Sequence, residues 1–146
     1  MNLTSFPTSF FLLLALIEPS AILALEPVVT GAVTHVRDID TFEVEGVPIR
    51  LSGLDGPELS EPYGQEAKAW LIDLISGVDV SCALNGDRSY DRYVGTCYLP
   101  NGRDIAEVIV ENGYGRDCPR YSGGKYKGFE VKQSKTLVTH SYCYRN

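Results

Sequence analysis

The stretch that decides the fold is residues 28–51, which read VVTGAVTHVRDIDTFEVEGVPIRL. Three segments rich in β-branched and aromatic residues, 28–36, 41–44 and 47–51, are each typical of a short strand. A charged tetrapeptide separates the first two segments, and Glu45-Gly46 forms the turn between the second and third. The pattern therefore predicts three consecutive strands of an antiparallel meander.

The chain downstream of this meander predicts helices and two further strands. Five short strands that a helix interrupts after the third are the layout of a small Greek-key barrel of the OB type. We therefore expect an α+β fold, mainly β, with a five-stranded OB-type barrel and about three helices; a generic α+β sandwich is the alternative. Periodicity and turn residues place helices over 63–75, 105–111 and 129–138, and strands over 78–84 and 93–99.

Residues 1–24 differ in composition from the rest of the chain. They contain no Lys or Arg, and an unbroken apolar run from Phe10 to Ile17 precedes the small residues Ala21 and Ala24. This order is typical of an export signal with cleavage near Ala24, which leaves 27–146 as a single domain. We therefore expect a secreted or periplasmic protein; a hydrophobic helix that packs on the domain is the alternative.

The chain has four cysteines, all of them beyond residue 24. An even number of cysteines in a small exported domain predicts two disulfides. A zinc site is the rival interpretation, but the sequence has no Cys-x-x-Cys pair and only two histidines. The pairing we favour joins Cys82 to Cys97 across a hairpin and Cys118 to Cys143, which would fasten the C-terminal tail to the body.

The formal net charge of the chain is −6. An acidic balance argues against tight non-specific binding to nucleic acid, because such binding usually rests on a basic surface. An enzyme that cuts nucleic acid and releases it tolerates this balance better than a passive binder does.

Three acidic residues, Asp40, Asp55 and Glu58, lie where predicted strands bend or end. Pairing of 41–44 with 47–51 would bring them together, and clustered carboxylates need a cation or an arginine nearby. Oxygen ligands without His or Cys favour Ca2+ or Mg2+, and Arg50 lies on the intervening strand. Such a set suits phosphodiester hydrolysis; the alternative is that the acids cap turns and pair with Arg50.

Three motifs in this part of the chain carry a resemblance to a known family. They are Asp38-Ile-Asp-Thr-Phe42, Arg50-Leu-Ser-Gly-Leu-Asp-Gly-Pro-Glu58 and Tyr63-Gly-Gln-Glu-Ala-Lys-Ala69. In order and spacing they resemble the thermonuclease family, also called staphylococcal-nuclease-like, over most of 28–138. The resemblance implies an OB-fold barrel with three helices and Ca2+-dependent hydrolysis of DNA and RNA. We expect a monomer with little sequence preference and no membrane association in its mature form.

The resemblance also implies roles for individual residues. Asp40 and Asp55 match the two calcium carboxylates, and the carbonyl of Gly56 falls where the family supplies a backbone ligand and often has Thr. Glu58 matches the acid that holds the attacking water, with general base as its proposed role. Arg50 matches the first phosphate-binding arginine.

The chain departs from the family at the second catalytic arginine. That arginine follows Asp-Arg/Lys-Tyr-Gly, whereas here Asp91-Arg92-Tyr93-Val-Gly-Thr-Cys97 lacks the Gly-Arg pair. Counted from Asp91, Gly95 takes the place of the arginine; counted back from Gly102, Tyr93 does, and Arg92 is one residue away. Arg92, or alternatively Arg88, could reach the phosphate from the shortened turn, or Arg50 could act alone at a lower rate.

Other hypotheses stay open beside the nuclease. The fold could be kept as a non-catalytic binding or interaction module, or as a structural exported domain with vestigial acids. Among the aromatic residues, Tyr93 is the one we expect to stack on a base. His35 and His140 show no partner in the sequence and receive no role.

Overall fold

The computed structural model describes residues 25–144 of the 146-residue chain. The export signal predicted for residues 1–24 lies outside the described residues. Within residues 25–144, none of the helices has the length and apolar character needed to cross a membrane.

The strands of the described chain are β1 (Val28–Val36), β2 (Thr41–Val44), β3 (Val47–Leu51), β4 (Leu54–Asp55), β5 (Asp79–Ser89), β6 (Arg92–Tyr98) and β7 (Arg116–Asp117). Five of them form a closed barrel in the order β1-β2-β3-β6-β5. Neighbouring strands are antiparallel except for β3 and β6, which run parallel. The predicted five-stranded OB-type barrel is thus confirmed. A separate two-stranded ribbon pairs β4 with β7.

Three α-helices and three short 3-10 helices occur in the described part of the chain. The first helix follows the third barrel strand, as predicted, and buries Ala67, Leu71 and Ile75 against the core. Asp104 caps the second helix, where its carboxylate accepts a hydrogen bond from the backbone of Ala106 at 2.9 Å. The helices are α1 (Gly64–Ile75), α2 (Ile105–Glu111) and α3 (Pro119–Ser122), with 3-10 helices at Lys127–Phe129, Ser134–Thr136 and Ser141–Cys143.

The helix predicted over 129–138 is wrong. This segment contains the last residue of one 3-10 helix and the whole of another, joined by irregular chain. Only Ser134 and Leu137 are buried, which is too narrow a face to hold an amphipathic helix against the body. Tertiary hydrogen bonds fix the segment instead, because Ser134 donates to the carbonyl of Val110 and Glu130 accepts from the backbone of Asp117.

Both predicted disulfides are present. Cys82 and Cys97 lie directly opposite each other on β5 and β6, so their bond crosses the barrel wall between neighbouring strands. Cys118, just before α3, is bonded to Cys143 in the last 3-10 helix. The second disulfide therefore fixes the end of the described chain to the body.

Candidate active site

A cavity of about 770 Å3 opens at one side of the barrel. Strand β3, the turn that leads into β4 and the β5–β6 hairpin contribute most of its wall. The loop after β4 adds Glu58, and α3 and the last 3-10 helix add one tyrosine each. Its charged lining residues are Asp38, Arg50, Glu58, Asp87, Arg88 and Arg92. Of the four residues that the sequence predicted to meet, Arg50 and Glu58 line this cavity, whereas Asp40 and Asp55 are not among its lining residues.

Asp40 is held by groups on the neighbouring strands. It directly precedes β2, and the β2–β3 register pairs Thr41 with Arg50. One guanidinium nitrogen of Arg50 lies 2.9 Å from Asp40 Oδ2, and the hydroxyl of Thr41 donates to Asp40 Oδ1 at 2.7 Å. Because the Asp40 side chain is almost fully buried, this pairing offsets the cost of burying its charge.

Arg92 reaches the same group of side chains from the β5–β6 hairpin. Its Nη1 donates to the hydroxyl of Thr41 at 3.0 Å, while Nε and Nη2 donate to the carbonyl and hydroxyl of Ser89 at 3.1 and 2.9 Å. The turn of the hairpin thus fixes the Arg92 guanidinium beside Thr41. Arg50 and Arg92 both line the cavity, so two guanidinium groups face one space.

Gly95, the alternative position for the missing arginine, cannot carry a side chain. It is buried in β6 opposite Leu84 of β5 and Leu51 of β3. A Cβ added at Gly95 would lie 2.6 Å from the carbonyl oxygen of Ala83. Of the two positions, only the hairpin turn has room for an arginine.

Arg88 and the nearby tyrosines form the outer part of this wall. The Arg88 guanidinium lies 3.9 Å from the ring centroid of Tyr93, and the guanidinium of Arg92 lies 5.6 Å from that of Tyr90. Tyr90 lines the cavity with almost its entire side chain exposed, whereas Tyr93 is not among the lining residues described. The aromatic side chain that borders the cavity at this hairpin is therefore Tyr90.

Asp38 is the carboxylate next to Asp40 in the cavity. Its Oδ1 accepts a hydrogen bond from the backbone of Asp40 at 3.1 Å. Burial and, after it, the neighbouring charge of Asp40 raise the pKa of Asp38 to about 6.

Asp55 lies on β4 with its side chain fully buried. Nδ1 of His140 lies 2.6 Å from Asp55 Oδ1, and the backbone nitrogen of His140 donates to Oδ2 at 3.2 Å. Nε2 of the same ring lies 3.2 Å from a carboxylate oxygen of Glu61. Burial lowers the pKa of His140, but Asp55 and Glu61 outweigh it, so the pKa is raised above its usual value.

Gly56 and Glu58, which follow Asp55 in the chain, differ in burial. Gly56 is buried, and a Cβ at this position would collide with the side chain of Ile39, so a Thr would not fit here without a shift. Glu58 has an exposed side chain that borders the cavity. Within residues 25–144 its carboxylate makes neither an ion pair nor a hydrogen bond, which leaves it available to a bound molecule.

The sequence analysis missed two site residues, His140 and Tyr142. Arg50 donates a second hydrogen bond, from Nη2, to the Tyr142 hydroxyl at 3.3 Å, and the tyrosine and imidazole rings stack with centroids 5.4 Å apart. Burial raises the pKa of Tyr142 to about 12. The signal that could have located both residues is the predicted bond between Cys118 and Cys143, since it fixes this segment near β4.

The predicted calcium ligands do not fit a metal in this arrangement. Asp40 and Asp55 have the hard oxygen donors that Ca2+ prefers. Both oxygens of Asp40 are bonded to Arg50 and Thr41, however, and both oxygens of Asp55 are bonded to His140. In residues 25–144, no three His, Cys, Asp or Glu side chains are grouped so that they could hold a metal ion.

Comparison with known proteins places the chain in a family. Residues 48–136 match the family model described as "Staphylococcal nuclease homologue". "Probable staphylococcal-like nuclease CAN2" of Oryza sativa is 39% identical over 66 residues, which are 45% of this chain and 18% of that protein. An "Uncharacterized endonuclease" of Escherichia coli is 32% identical over 87 residues, which are 57% of each chain.

A third relative covers more of the chain. "Succinoglycan biosynthesis protein ExoI" of Rhizobium meliloti is 31% identical over 114 residues, which are 70% of this chain and 59% of that protein. The chain thus spans less than two thirds of the length of each of these relatives. The family model covers more than half of its residues, and the barrel has the strand layout expected of that family. This chain belongs to the staphylococcal nuclease family.

Proposed function

We propose that this chain is an exported nuclease that hydrolyses phosphodiester bonds of DNA or RNA with little sequence preference. The observation that carries the proposal is the placement of Arg50, Arg92 and Glu58 around one cavity. Relatives whose names include "nuclease" or "endonuclease" support the reaction class. The two disulfides support an oxidising compartment such as a periplasm or the outside of the cell.

The arginines suit the binding of a phosphodiester group. Guanidinium groups form charge-assisted, often bidentate hydrogen bonds with phosphate oxygens, and they stabilise the negative charge that develops in phosphoryl transfer. Asp40 orients Arg50, and Thr41 and Ser89 orient Arg92, so both groups are in place before substrate arrives. In this proposal Arg92 replaces the arginine that the family has in its longer turn.

Glu58 is the residue we propose to position and deprotonate water. A general base must be within hydrogen-bond reach of the proton it accepts and must be free to accept it. Glu58 borders the same cavity as both arginines, and its exposed carboxylate is free of ion pairs within the described residues. A water molecule beside Glu58 could then attack a phosphorus whose oxygens are bound by Arg50 and Arg92.

Dependence on Ca2+ stays a prediction of the family resemblance. When bound in such a site, the ion neutralises phosphate charge and polarises the attacked group. Asp40, Asp55 and the Gly56 carbonyl are the ligands that the resemblance implies, but both carboxylates are paired with protein groups in the structure. The steps proposed for Arg50, Arg92 and Glu58 therefore do not pass through a metal.

A cleavage assay tests the proposed function. We expect the purified, disulfide-bonded protein to degrade fluorescent single-stranded DNA or RNA, and Glu58→Gln to lower the rate at least about 10²-fold, the size of general base catalysis. Glu26→Gln, which changes an exposed acid next to the start of β1, is the matched control. Equal rates for the wild type and Glu58→Gln would refute the proposal, and a parallel assay with chelator measures the dependence on Ca2+.

The second candidate is a non-catalytic nucleic-acid-binding module. The pairing of Asp40 with Arg50 and of Asp55 with His140 favours this hypothesis, because these are the carboxylates expected to bind calcium for catalysis. Under this hypothesis an oligonucleotide still binds in the cavity, and binding survives Glu58→Ala while no cleavage is seen in either protein.

A further inference from the structure

Residues His140 to Cys143, near the end of the described chain, reach the predicted metal site. We call this segment the tail. Its first residue contacts Asp55 and its third contacts Arg50, while its last forms a disulfide. The tail thus contacts a predicted calcium ligand and the predicted phosphate-binding arginine at the same time.

His140 takes one hydrogen-bonding position on each carboxylate oxygen of Asp55. An ionised carboxylate can only accept hydrogen bonds, so Nδ1 of His140 must donate to Oδ1 at 2.6 Å. The backbone nitrogen donates to the other oxygen at 3.2 Å, and Glu61 holds the far nitrogen of the ring. The imidazole is therefore fixed between two carboxylates, on the oxygen atoms that a metal would need.

The disulfide between Cys118 and Cys143 holds the tail in position beside Asp55. Cys143 is bonded to Cys118, whose backbone nitrogen donates to the carbonyl of Gly53 at 2.9 Å. The β4–β7 pairing places Asp117 opposite Leu54, one residue before Asp55. The disulfide therefore attaches the tail to the same ribbon that carries Asp55. This attachment keeps His140 close to Asp55 and so raises its effective concentration there.

A divalent cation must compete with His140 for Asp55 in this geometry, because the Asp55 side chain is fully buried and each of its oxygens already contacts His140. Ca2+ binds carboxylate oxygens at about 2.3–2.6 Å and needs six to eight oxygen ligands. His140 takes both oxygens of Asp55, and Arg50 and Thr41 take those of Asp40. We propose that the disulfide-anchored tail closes this site to divalent cations, and that a cation binds at Asp55 only when His140 leaves it.

This inference adds regulation to the site for which we propose nuclease activity. Its test measures metal binding without nucleic acid, so its failure is distinguishable from a failure to cleave. The full-length oxidised protein, His140→Ala and the control His35→Ala are titrated with CaCl2 in a calorimeter. His35 is an exposed residue of β1, away from the tail.

We expect His140→Ala to bind Ca2+ at least about tenfold more tightly than wild type, because the imidazole no longer competes with the ion for Asp55 Oδ1, while the backbone nitrogen of residue 140 can still donate to Oδ2. His35→Ala should behave like wild type. Equal affinity in wild type and His140→Ala, including saturable binding in neither, would overturn the proposal.

A second variant removes the disulfide that anchors the tail and keeps the imidazole of His140. Cys118→Ser/Cys143→Ser should also bind Ca2+ more tightly than wild type, because the tail is then free to leave Asp55. Circular dichroism and thermal melting establish that each variant is folded. If His140→Ala does not fold, the cysteine variant decides the question, and an affinity equal to that of wild type overturns the proposal.

Discussion

Arg92 is the residue that we propose takes the role of the family's second arginine, which this chain lacks. Its guanidinium is fixed by Thr41 and Ser89 and faces the cavity beside Arg50. We predict that Arg92→Ala lowers the rate of DNA cleavage about 10²-fold or more, since a preorganised donor to developing charge is lost. Initial rates on a labelled oligonucleotide at saturating substrate measure the effect.

Arg103→Ala is the matched control for Arg92→Ala. Arg103 pairs with Glu107 and Glu111 on α2 and is not among the residues lining the cavity. Arg92→Lys should recover only part of the rate, because an ammonium group lacks the planar fork that a guanidinium presents to phosphate. A rate for Arg92→Ala within about twofold of wild type would make Arg92 a bystander.

Sequence spacing could predict some of these residues and not others. The hairpin register follows from the turn at Glu45-Gly46, so the contact between Asp40 and Arg50 was within reach of a local argument. The contact between His140 and Asp55 joins residues 85 positions apart. Nothing local to His140 indicates its partner, because the contact depends on a disulfide and on how the ribbon of β4 and β7 packs.

At the scale of single elements, the start of α2 concentrates several interactions on one carboxylate. Asp104 caps the helix, and its Oδ2 lies 2.6 Å from the Lys125 ammonium and accepts a hydrogen bond from the Tyr126 hydroxyl at 2.9 Å. Tyr126 is buried, and this burial, together with the charge of Asp104, raises the pKa of the phenol. Asp104 thus links the helix to the chain that follows α3.

We predict that Asp104→Ala lowers the free energy of unfolding by about 2–4 kcal/mol, the sum of a lost N-cap and an unsatisfied buried hydroxyl. Urea denaturation followed by circular dichroism measures the change. Asp104→Asn keeps a capping oxygen and serves as the control, so it should lose less. A loss below about 0.5 kcal/mol for the alanine variant would contradict the prediction.

Elements with a strong local pattern were predicted with nearly their observed limits. The first three strands and α2 agree with the sequence because alternation, turn residues and the cap at Asp104 are all local signals. The predicted strand 78–84 was too short, since β5 continues through Asn85-Gly86 to Ser89 after a shift in register. Pairing with β6 overrides the turn propensity of these two residues.

For the whole molecule, the two disulfides stabilise different parts of the structure. Cys82–Cys97 spans 15 residues of sequence within the barrel wall, and Cys118–Cys143 spans 25 residues and anchors the tail. We predict that Cys82→Ala/Cys97→Ala lowers the free energy of unfolding by about 3 kcal/mol through the entropy of the unfolded chain. Urea denaturation of the oxidised proteins measures it.

The same variant should leave calcium binding as in wild type, because its tail remains anchored. Cys118→Ser/Cys143→Ser should lose a similar amount of stability and also change calcium binding. Equal stability of wild type and Cys82→Ala/Cys97→Ala would contradict the prediction for the barrel disulfide.

The parallel pairing of β3 with β6 has a consequence for when the protein can act. Arg50 lies on β3 opposite Val94 of β6, and Arg92 is the first residue of β6. The hydrogen bonds between β3 and β6 thus bring two guanidinium groups from distant parts of the sequence to one cavity. An unfolded chain, which lacks this strand pairing, carries both arginines but has no place where they converge, so we expect it to have no cleavage activity.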